Sequence, residues 1–327
     1  MKFTVIGHYS FDVFHHSDKA GTEERKPGGI FFAVATLASL AGEGDSVLPV
    51  FGVGKNDIDL VKERFSSFPS VDTDGIFPLE GETNEVHFYL KDKTTTTECS
   101  KNIAPPIPFS KIKPYLSTNG ILLNMISGSD ITLGTLDEIR LAIRERSIPL
   151  HLDLHNLTLG VNADLPVRPV SASAEQAGAS RFRRALSDWR RWCFMVDSVQ
   201  MNEEEAAGLT MERYDEDMLA KQMLPLMVKG MCITRGEKGA TLFRQDHKQI
   251  LRNDVNADLP SSSFAGNGCG DVFGAAFLFL ICKKKLKMAP QTIKMTDALT
   301  FAHDVAHKFA LEGEKAFSTF RKLGLAV

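Results

Sequence analysis

The chain has 327 residues, of which 43% are hydrophobic and 24% are charged, and its formal net charge is −3. This length holds one large α/β domain or two smaller ones, and the composition is that of a globular protein with a sizeable core. The charge argues against a dedicated nucleic-acid binder, which usually presents a basic face. The local exception, RFRRALSDWRRW, has arginines at helical spacing and is interpreted as a solvated helix face, with a ligand patch as the alternative.

The five cysteines, at positions 99, 193, 232, 269 and 282, indicate the compartment. Their number is odd and their spacing is not that of a metal site, so we expect free thiols in a reducing environment. The first ten residues, MKFTVIGHYS, become polar too soon for a signal peptide. The longest apolar stretches fall short of the roughly 20 residues of a membrane span. The sequence therefore predicts a cytoplasmic protein that binds neither membranes nor nucleic acid.

Short apolar runs alternate with longer amphipathic segments along the chain. The predicted strands, in chain order, are FTVIG, SVLPVFGV, GILLNMI, IPLHLDL, CFMVDSVQM, MCITRG and ATLFRQ. The predicted helices span residues 28–42, 57–66, 131–146, 203–208, 213–229, 270–285 and 290–312. Strands bounded by Gly or Asp and separated by helical patterns predict βα units on a mostly parallel sheet that is covered on both faces.

Three stretches depart from this alternation. Residues 11–27 are polar and end in KPGG, and residues 82–102 alternate polar and apolar positions with a threonine-rich β propensity. Because both stretches precede long helices, we expect them to form a small β flap beside the main sheet. Residues 160–180 are rich in Pro, Ala and Ser and predict a surface excursion or a mobile loop. One domain, 1–327, with a β appendage is simpler than two domains.

The segment FAGNGCGDVFGAAF, residues 264–277, carries the clearest chemical signal. Its glycines permit positive φ and close backbone approach, and the free N–H groups of a following helix turn can point at an anion. Asp271 falls in that first turn, where the helix dipole favours its ionised form by about 0.3–1 kcal/mol. A carboxylate beside an anion hole is a general base beside developing phosphoryl charge. By itself the segment is also consistent with a simple turn and an N-terminal helix charge.

The order of six motifs along the chain resembles the ribokinase-like (PfkB) family of carbohydrate kinases. The motifs are GHYSFD, KPGG, FGVGKND, QMNEEEAAGL, ITRGEKGATLF and GNGCGDVFGAAF, within a resemblance that runs from about residue 3 to residue 313. The most specific of them is GCGD followed by a helix of small residues. The resemblance implies ATP- and Mg²⁺-dependent phosphorylation of a hydroxyl on a sugar or nucleoside. It also implies a three-layer α/β sandwich with a mostly parallel central sheet and a small β lid, here formed by about 11–27 and 82–102.

The resemblance implies a role for each residue of the glycine-rich segment. Asp271 matches the family's catalytic base, which takes the proton from the attacking hydroxyl. Gly268, Cys269 and Gly270 match the anion hole, whose backbone amides hold the phosphoryl group during transfer. Cys269 replaces what is commonly an alanine, and because only its N–H is needed, we expect the thiol to act as neutral packing.

The resemblance also implies a nucleotide site. Its residues are Asn202, Thr234, Arg235, Gly236, Gly239 and His303. Asn202 and Glu205 match the family's NxxE element, which organises Mg²⁺ and phosphate through water, although the same spacing predicts a helix capping box. Arg235 would supply positive charge to the phosphates, unless its turn is a surface hairpin. His303 lies where the family often places a neighbour of adenine, and a surface histidine explains it equally.

The acceptor side is implied by the N-terminal motifs. Asp12 matches the acid that holds substrate hydroxyls, since an ionised aspartate accepts two hydrogen bonds from a polyol, although a turn acid would also fit. Gly28 and Gly29 would let the backbone approach the same substrate, or form a helix lead-in. Asn124 and Asp153 end their predicted strands, so we expect them to line the crevice where open α/β sheets bind ligands.

Two positions depart from the family's pattern. Ala265 and Gly266 stand where the family usually has an Asp-Thr pair, so an acid near the phosphates is missing. Ala33 stands where sugar kinases usually carry asparagine, which predicts a pocket for a less hydroxylated or bulkier acceptor. Phe31 and Phe32 beside it are expected to pack in the core.

The main functional hypothesis is an ATP-dependent phosphotransferase acting on a hydroxyl of a sugar or sugar-like small molecule. A nucleoside kinase of the same fold is the alternative within enzymes. A sugar- or nucleotide-binding protein with weakened catalysis is the alternative from another class, although retention of GCGD, NEEE and Asp12 speaks against it. Family lids often mediate homodimers, and a monovalent cation such as K⁺ sometimes orders the anion-hole loop; the residues leave both features open.

Overall fold

The structure is a computed structural model that describes residues 1–16, 23–91, 94–167, 178–256, 267–287 and 295–327. The strands are β1 (Lys2–Ile6), β2 (Tyr9–His16), β3 (Glu23–Gly29), β4 (Ser46–Gly54), β5 (Ile76–Leu79), β6 (Asn84–Lys91), β7 (Thr94–Lys101), β8 (Gly120–Asn124), β9 (Leu150–Asp153), β10 (Leu159–Val167), β11 (Gly178–Arg183), β12 (Ser198–Asn202), β13 (Gly230–Thr234), β14 (Ala240–Asp246) and β15 (Gln249–Val255). The helices are α1 (Phe31–Leu40), α2 (Ile58–Ser66), α3 (Phe109–Ile112), α4 (Leu133–Ile143), α5 (Trp189–Phe194), α6 (Glu203–Gly208), α7 (Glu216–Met223), α8 (Cys269–Lys287), α9 (Met295–Glu312) and α10 (Phe317–Ala326).

The main sheet of the described residues has nine strands in the order β15-β14-β13-β12-β9-β8-β1-β4-β5. All ladders from β13 to β5 are parallel, whereas the β13–β14 and β14–β15 ladders are antiparallel. Its central strands are buried along their whole length, as in β8 and β9, because helices cover both faces. The predicted α/β class with a mostly parallel central sheet is confirmed.

Most predicted elements of the main sheet and its helices coincide with observed ones, but the first half of CFMVDSVQM does not. The prediction of a strand from residue 193 is wrong, because Trp189–Phe194 form α5 and the strand begins at Ser198. Trp189, Trp192 and Cys193 are buried and are spaced as on one face of a helix. The apolar residues that follow them, at positions 194–196, made the segment resemble a strand. The sequence reading also missed α3 and α10.

A second sheet has six strands in the order β10-β11-β7-β6-β2-β3. Strands β2, β3, β6 and β7 fall in the two stretches expected to form a β flap, of which residues 17–22 and 92–93 lie outside the described residues. The prediction that residues 160–180 form a surface excursion is wrong for the described part, because β10 and β11 join this sheet. Strand β11 pairs with β7 through Ala179 and Ser180, a distant partner that composition does not reveal.

Side chains along β2 alternate between two environments. Ser10 and Asp12 line a cavity, whereas Phe11 and Val13 are buried in the hydrophobic core. The second sheet is thereby anchored through one face and presents polar groups on the other. Among the described residues, no helix combines the length and apolar character needed to cross a membrane.

Candidate active site

A cavity of about 320 Å³ lies between the second sheet and the carboxyl ends of the main parallel strands. One wall comes from β2, β6, β7 and β11, and the other from the ends of β9, β12 and β13 and the start of α8. This is the position at which open α/β sheets bind ligands. Ten residues predicted to form the site line the cavity: Asp12, Gly29, Asp153, Asn202, Glu205, Thr234, Gly268, Cys269, Gly270 and Asp271.

The glycine-rich segment leads into α8 with free backbone donors. The N–H of Val272 donates the first helical bond, to the carbonyl of Gly268 at 2.9 Å. The N–H groups of Cys269 and Gly270 precede this bond and form no backbone hydrogen bond within the described residues, so they can face an anion. Gly268 has φ +96°, and a Cβ there would lie 2.5 Å from the ring of Phe32, so both the conformation and the space require glycine.

Asp271 is 9% exposed in the first turn of α8 and is held by an amide. Its Oδ1 accepts a hydrogen bond of 2.8 Å from Asn124 Nδ2, and the same Nδ2 donates to Asp153 Oδ2 at 3.2 Å. Parallel pairing of β8 and β9 puts Asn124 opposite Asp153, which explains the shared contact. Asn124 does not line the cavity, in contrast to the prediction that it lines the substrate crevice. Its side chain instead bridges the carboxyl groups of Asp153 and Asp271.

Burial dominates the charge state of this pair of carboxyl groups. It raises the pKa of Asp271, although the positive charge of His155 and the hydrogen bond from Asn124 oppose the rise. Burial and the negative charge of Asp271 raise the pKa of Asp153 well above its usual range. A raised pKa brings a carboxyl group closer to the pH at which a general base works best.

Glu205 and Asn202 form a capping box at the start of α6. Asn202 Oδ1 accepts from the Glu205 N–H at 2.8 Å, and Glu205 Oε2 accepts from the Asn202 N–H at 2.8 Å. The other oxygen, Oε1, lies 3.5 Å from both His155 Nδ1 and Arg183 Nη2. The described residues contain no cluster of three or more His, Cys, Asp or Glu side chains arranged to hold a metal ion.

His155 is a cationic group of the site that the sequence reading missed. Burial disfavours its charged form, but the hydrogen bond and charge of Glu205 outweigh burial and raise the pKa of His155 to about 9. The imidazole is therefore positively charged at neutral pH, on a cavity wall that also carries Asp271. A histidine two residues after a strand-end aspartate was the available signal.

Arg181 and Arg183 supply further positive charge, and the prediction of a solvated helix face for them is wrong. Both lie on β11, two residues apart and therefore on one face, which lines the cavity. Arg181 Nη1 lies 3.0 Å from Glu98 Oε2, and Arg183 Nη1 donates to the carbonyl of His155 at 3.2 Å. Arg181 and Arg183 alternate with the exposed Phe182, a period of two that indicates a strand. The helical spacing of the other arginines in the segment favoured a helix instead.

Asp12 lies on the wall of the cavity that the second sheet forms. Its Oδ1 accepts from Ser10 Oγ and its Oδ2 from Asn267 Nδ2, each at 3.3 Å. Burial raises the pKa of Asp12 to about 7. A Cβ at Gly28 would lie 2.1 Å from Asp12 Oδ1, so this glycine makes room for the carboxylate. Gly28 itself does not line the cavity, whereas Gly29 does.

The expected effect of Ala33 on the acceptor pocket is not found. Ala33 is fully buried and does not line the cavity. Its neighbour Phe32 lines the cavity and packs beside Phe309, with ring centroids 5.8 Å apart. The other departure from the motif, Ala265-Gly266, lies outside the described residues.

Four of the residues predicted to bind nucleotide do not line this cavity: Arg235, Gly236, Gly239 and His303. Arg235 forms ion pairs with Glu216 and with Glu203, at 3.2 Å for the latter, and donates to Thr241 Oγ1 at 2.6 Å. The two glycines shape the turn from β13 to β14, with φ of +52° and +99°. His303 stacks on His307 along α9. Thr234 is the part of this motif that reaches the cavity.

Comparisons with known proteins agree with this architecture. A pyrophosphate-dependent kinase of the ribokinase family superimposes with a TM-score of 0.71 at 16% identity, covering 97% of this chain and 99% of its own. Arabidopsis thaliana ribokinase with ribose and ATP gives 0.66 at 16% identity, with 98% of both chains covered. Burkholderia thailandensis nucleoside kinase with inosine gives 0.66 at 15% identity, covering 100% of this chain and 97% of its own.

No family model and no curated protein matches the chain. Similarity over nearly the whole length nevertheless confirms the predicted fold. The chain has the ribokinase-like fold, and the resemblance drawn from its motifs is correct at this level.

Proposed function

We propose that this protein is a phosphotransferase that moves the terminal phosphoryl group of ATP to a hydroxyl of a sugar or sugar-like small molecule. The observation that carries the proposal is the position of Asp271, buried beside the free amides of Cys269 and Gly270, in the cavity that also holds Asp12. A pure binding protein has no need for a base beside an anion hole.

In this reaction Asp271 accepts the proton of the acceptor hydroxyl while that oxygen attacks the terminal phosphorus of the donor. The bond from phosphorus to the leaving oxygen breaks, and the diphosphate departs. The amides of Cys269 and Gly270 hold the phosphoryl oxygens, and the charges of His155 and Arg183 offset the negative charge on the leaving side.

A donor-bound Mg²⁺ would offset the negative charge of the transferred phosphoryl group, and Glu205 is the residue that would hold it, through water. Glu205 already serves Asn202, His155 and Arg183, so it contacts the ion at most through water. That contact, and the monovalent cation, remain predictions.

Asp12 positions the acceptor. In the free protein its oxygens accept from Ser10 and Asn267, and a polyol presents two adjacent hydroxyls that can replace them. Phe32 and Phe88 line the same cavity and offer apolar surface to the ring of a sugar. They offer similar surface to a nucleobase, so a nucleoside is the alternative acceptor.

Pyrophosphate is a second candidate donor. One protein of this fold is a pyrophosphate-dependent kinase. The positive groups of the cavity are His155, Arg181 and Arg183, whereas Arg235 is paired with Glu216 and Glu203 outside it. Of these groups, His155 and Arg183 supply charge for phosphates without using the predicted nucleotide-binding arginine.

We also propose that residues 1–327 form one domain in which the second sheet acts as a lid that excludes water from the reaction. Phe11 and Val13 of the second sheet are buried in the hydrophobic core. This burial ties the base of the second sheet to the main sheet and supports a single domain. Dimerisation through this lid remains a prediction.

The test is phosphate transfer by the purified protein with Mg²⁺ and either ATP or pyrophosphate, against a panel of sugars, cyclic polyols and nucleosides. Transfer to one acceptor class, lost in Asp271→Asn, is the expected result, and the better donor decides between ATP and pyrophosphate. Each ligand is also tested by thermal shift, since a ligand at 100 times its Kd stabilises by about 2.7 kcal/mol. Stabilisation by an acceptor without any transfer would overturn the proposal in favour of a binding protein.

A further inference from the structure

Gln200 connects the main sheet to the first turn of α8. It lies on β12, is 2% exposed, and donates a hydrogen bond of 2.8 Å from Nε2 to the carbonyl of Gly270. That carbonyl shares one planar peptide unit with the N–H of Asp271, and the two groups point in opposite directions. A contact that fixes the carbonyl therefore also fixes the direction of this N–H. The hydrogen bond from the N–H lowers the pKa of the Asp271 carboxyl and opposes the effect of burial.

Helix α8 makes room for Gln200 with glycines on successive turns. A Cβ at Gly274 would lie 2.9 Å from Gln200 Oε1 and 3.4 Å from His151 Nε2, so both atoms border one notch. Both side chains are buried, and within the described residues these two atoms have no hydrogen-bond partner assigned. Burial lowers the pKa of His151 to about 4, an effect that the interaction with Gln200 opposes, so the ring is neutral near pH 7.

Hydrogen-bond chemistry determines how these groups must be oriented. A carbonyl oxygen only accepts, so Gln200 turns Nε2 toward Gly270 and Oε1 toward His151. A hydrogen bond between Gln200 Oε1 and His151 Nε2, which both border Gly274, would require the proton of the neutral ring to be on Nε2, because Oε1 only accepts. Nδ1 is then an acceptor, and Ser198 Oγ, at 2.8 Å, donates to it. One backbone carbonyl thus determines the direction of the whole chain of hydrogen bonds.

We propose that Ser198, His151 and Gln200 form a directed hydrogen-bond chain that positions the first turn of α8 for phosphoryl transfer. Gln200 is the positioning residue, His151 holds its amide in one orientation, and Ser198 holds the tautomer of His151. This hydrogen-bond chain keeps the amides of Cys269 and Gly270 and the carboxylate of Asp271 in a fixed relative position. Its catalytic consequence rests on the proposed function, whereas its direction is a property of the free protein.

The catalytic test is Gln200→Leu, which keeps the volume and removes the donor. We expect kcat to fall roughly 10- to 100-fold, because small misplacement of catalytic groups costs up to that factor, while the acceptor KM stays within about twofold. Affinity for inorganic phosphate, followed by the amide shifts of Cys269 and Gly270 in NMR spectra, falls in parallel. His151→Phe, which frees the amide to rotate, gives a smaller loss of the same kind.

The matched control is Val199→Ala, a buried position next to Gln200 on β12. It lowers the melting temperature without lowering kcat, which separates positioning from stability. Equal kcat in Gln200→Leu and the unmodified protein would overturn the proposal, as would a loss of kcat in Val199→Ala as large as in Gln200→Leu.

The tautomer of His151 is measured by ¹⁵N NMR on the unmodified protein without substrate, so it needs neither a variant that folds nor a known acceptor. A proton on Nε2 is the expected result, and a proton on Nδ1 overturns the chain. If the protein transfers phosphate to no acceptor, the proposed function fails. The tautomer of His151 and the phosphate titration then still test whether the hydrogen-bond chain exists.

Discussion

The two walls of the cavity are built in different ways. The wall at α8 consists of backbone amides and buried groups that other buried groups hold, as Asn124 holds Asp271 and Gln200 holds Gly270. The wall of the second sheet consists of side chains from separate strands, such as Asp12 on β2 and Arg181 on β11. The first wall therefore suits chemistry, which needs a rigid arrangement of charge, and the second suits recognition of the acceptor.

If this division is correct, substitutions in the α8 wall lower kcat and substitutions in the second sheet raise the acceptor KM. The largest effect is expected for Asp271→Asn, which removes the base and should lower kcat by at least about 100-fold. Donor affinity, measured by calorimetry, should stay nearly unchanged, because the amides of the anion hole remain. Unchanged kcat in this variant would remove Asp271 from the mechanism.

A smaller effect on the same wall is expected for Asn124→Leu. The lost hydrogen bond favoured the charged form of Asp271, so the pKa of that carboxyl rises further and the base is ionised only at higher pH. We expect the acidic limb of the kcat/KM profile to move to higher pH, with a loss of roughly 20-fold at pH 7 that shrinks as the pH rises. A loss that is equal at every pH would show that Asn124 acts on packing alone.

On the second sheet, Arg181→Met tests the acceptor wall. This substitution removes the guanidinium that pairs with Glu98 in the cavity. We expect the acceptor KM to rise about 10-fold, which corresponds to the loss of one hydrogen bond to a charged group, while kcat stays nearly constant. Arg190→Met is the control from the same arginine-rich segment, because Arg190 lies on α5 over the ring of Trp189. An increase of KM in both variants would argue against a specific contact.

The smallest effect is the pH dependence of acceptor binding through Asp12. Its pKa is raised to about 7, so the carboxylate that accepts two hydroxyls forms as the pH rises from 6 to 8. We expect the acceptor KM to fall across this range by several-fold, at most about tenfold, following the ionised fraction. Asp12→Asn should have a high KM that no longer changes with pH. A KM that falls equally in both proteins would assign the titration to another group.

Local patterns determined the main sheet and the start of α8. The apolar runs of β8 and β9 and the helical spacing of α4 and α9 are signals within single elements, because burial on one or two faces is written into the spacing of apolar residues. The glycines and Asp271 were equally readable, since positive φ at Gly268 and the first-turn acid are requirements of a few adjacent residues.

Tertiary structure decided which distant residues meet. Asn124 was expected to line the substrate crevice, and only the pairing of β8 with β9 and the placement of α8 make it a bridge between Asp153 and Asp271. Arg181 reaches the cavity because β11 pairs with β7, and Gln200 meets Gly270 because β12 lies beneath α8. These side-chain contacts join residues 29 to 147 positions apart in the chain, and no local spacing encodes so distant a partner.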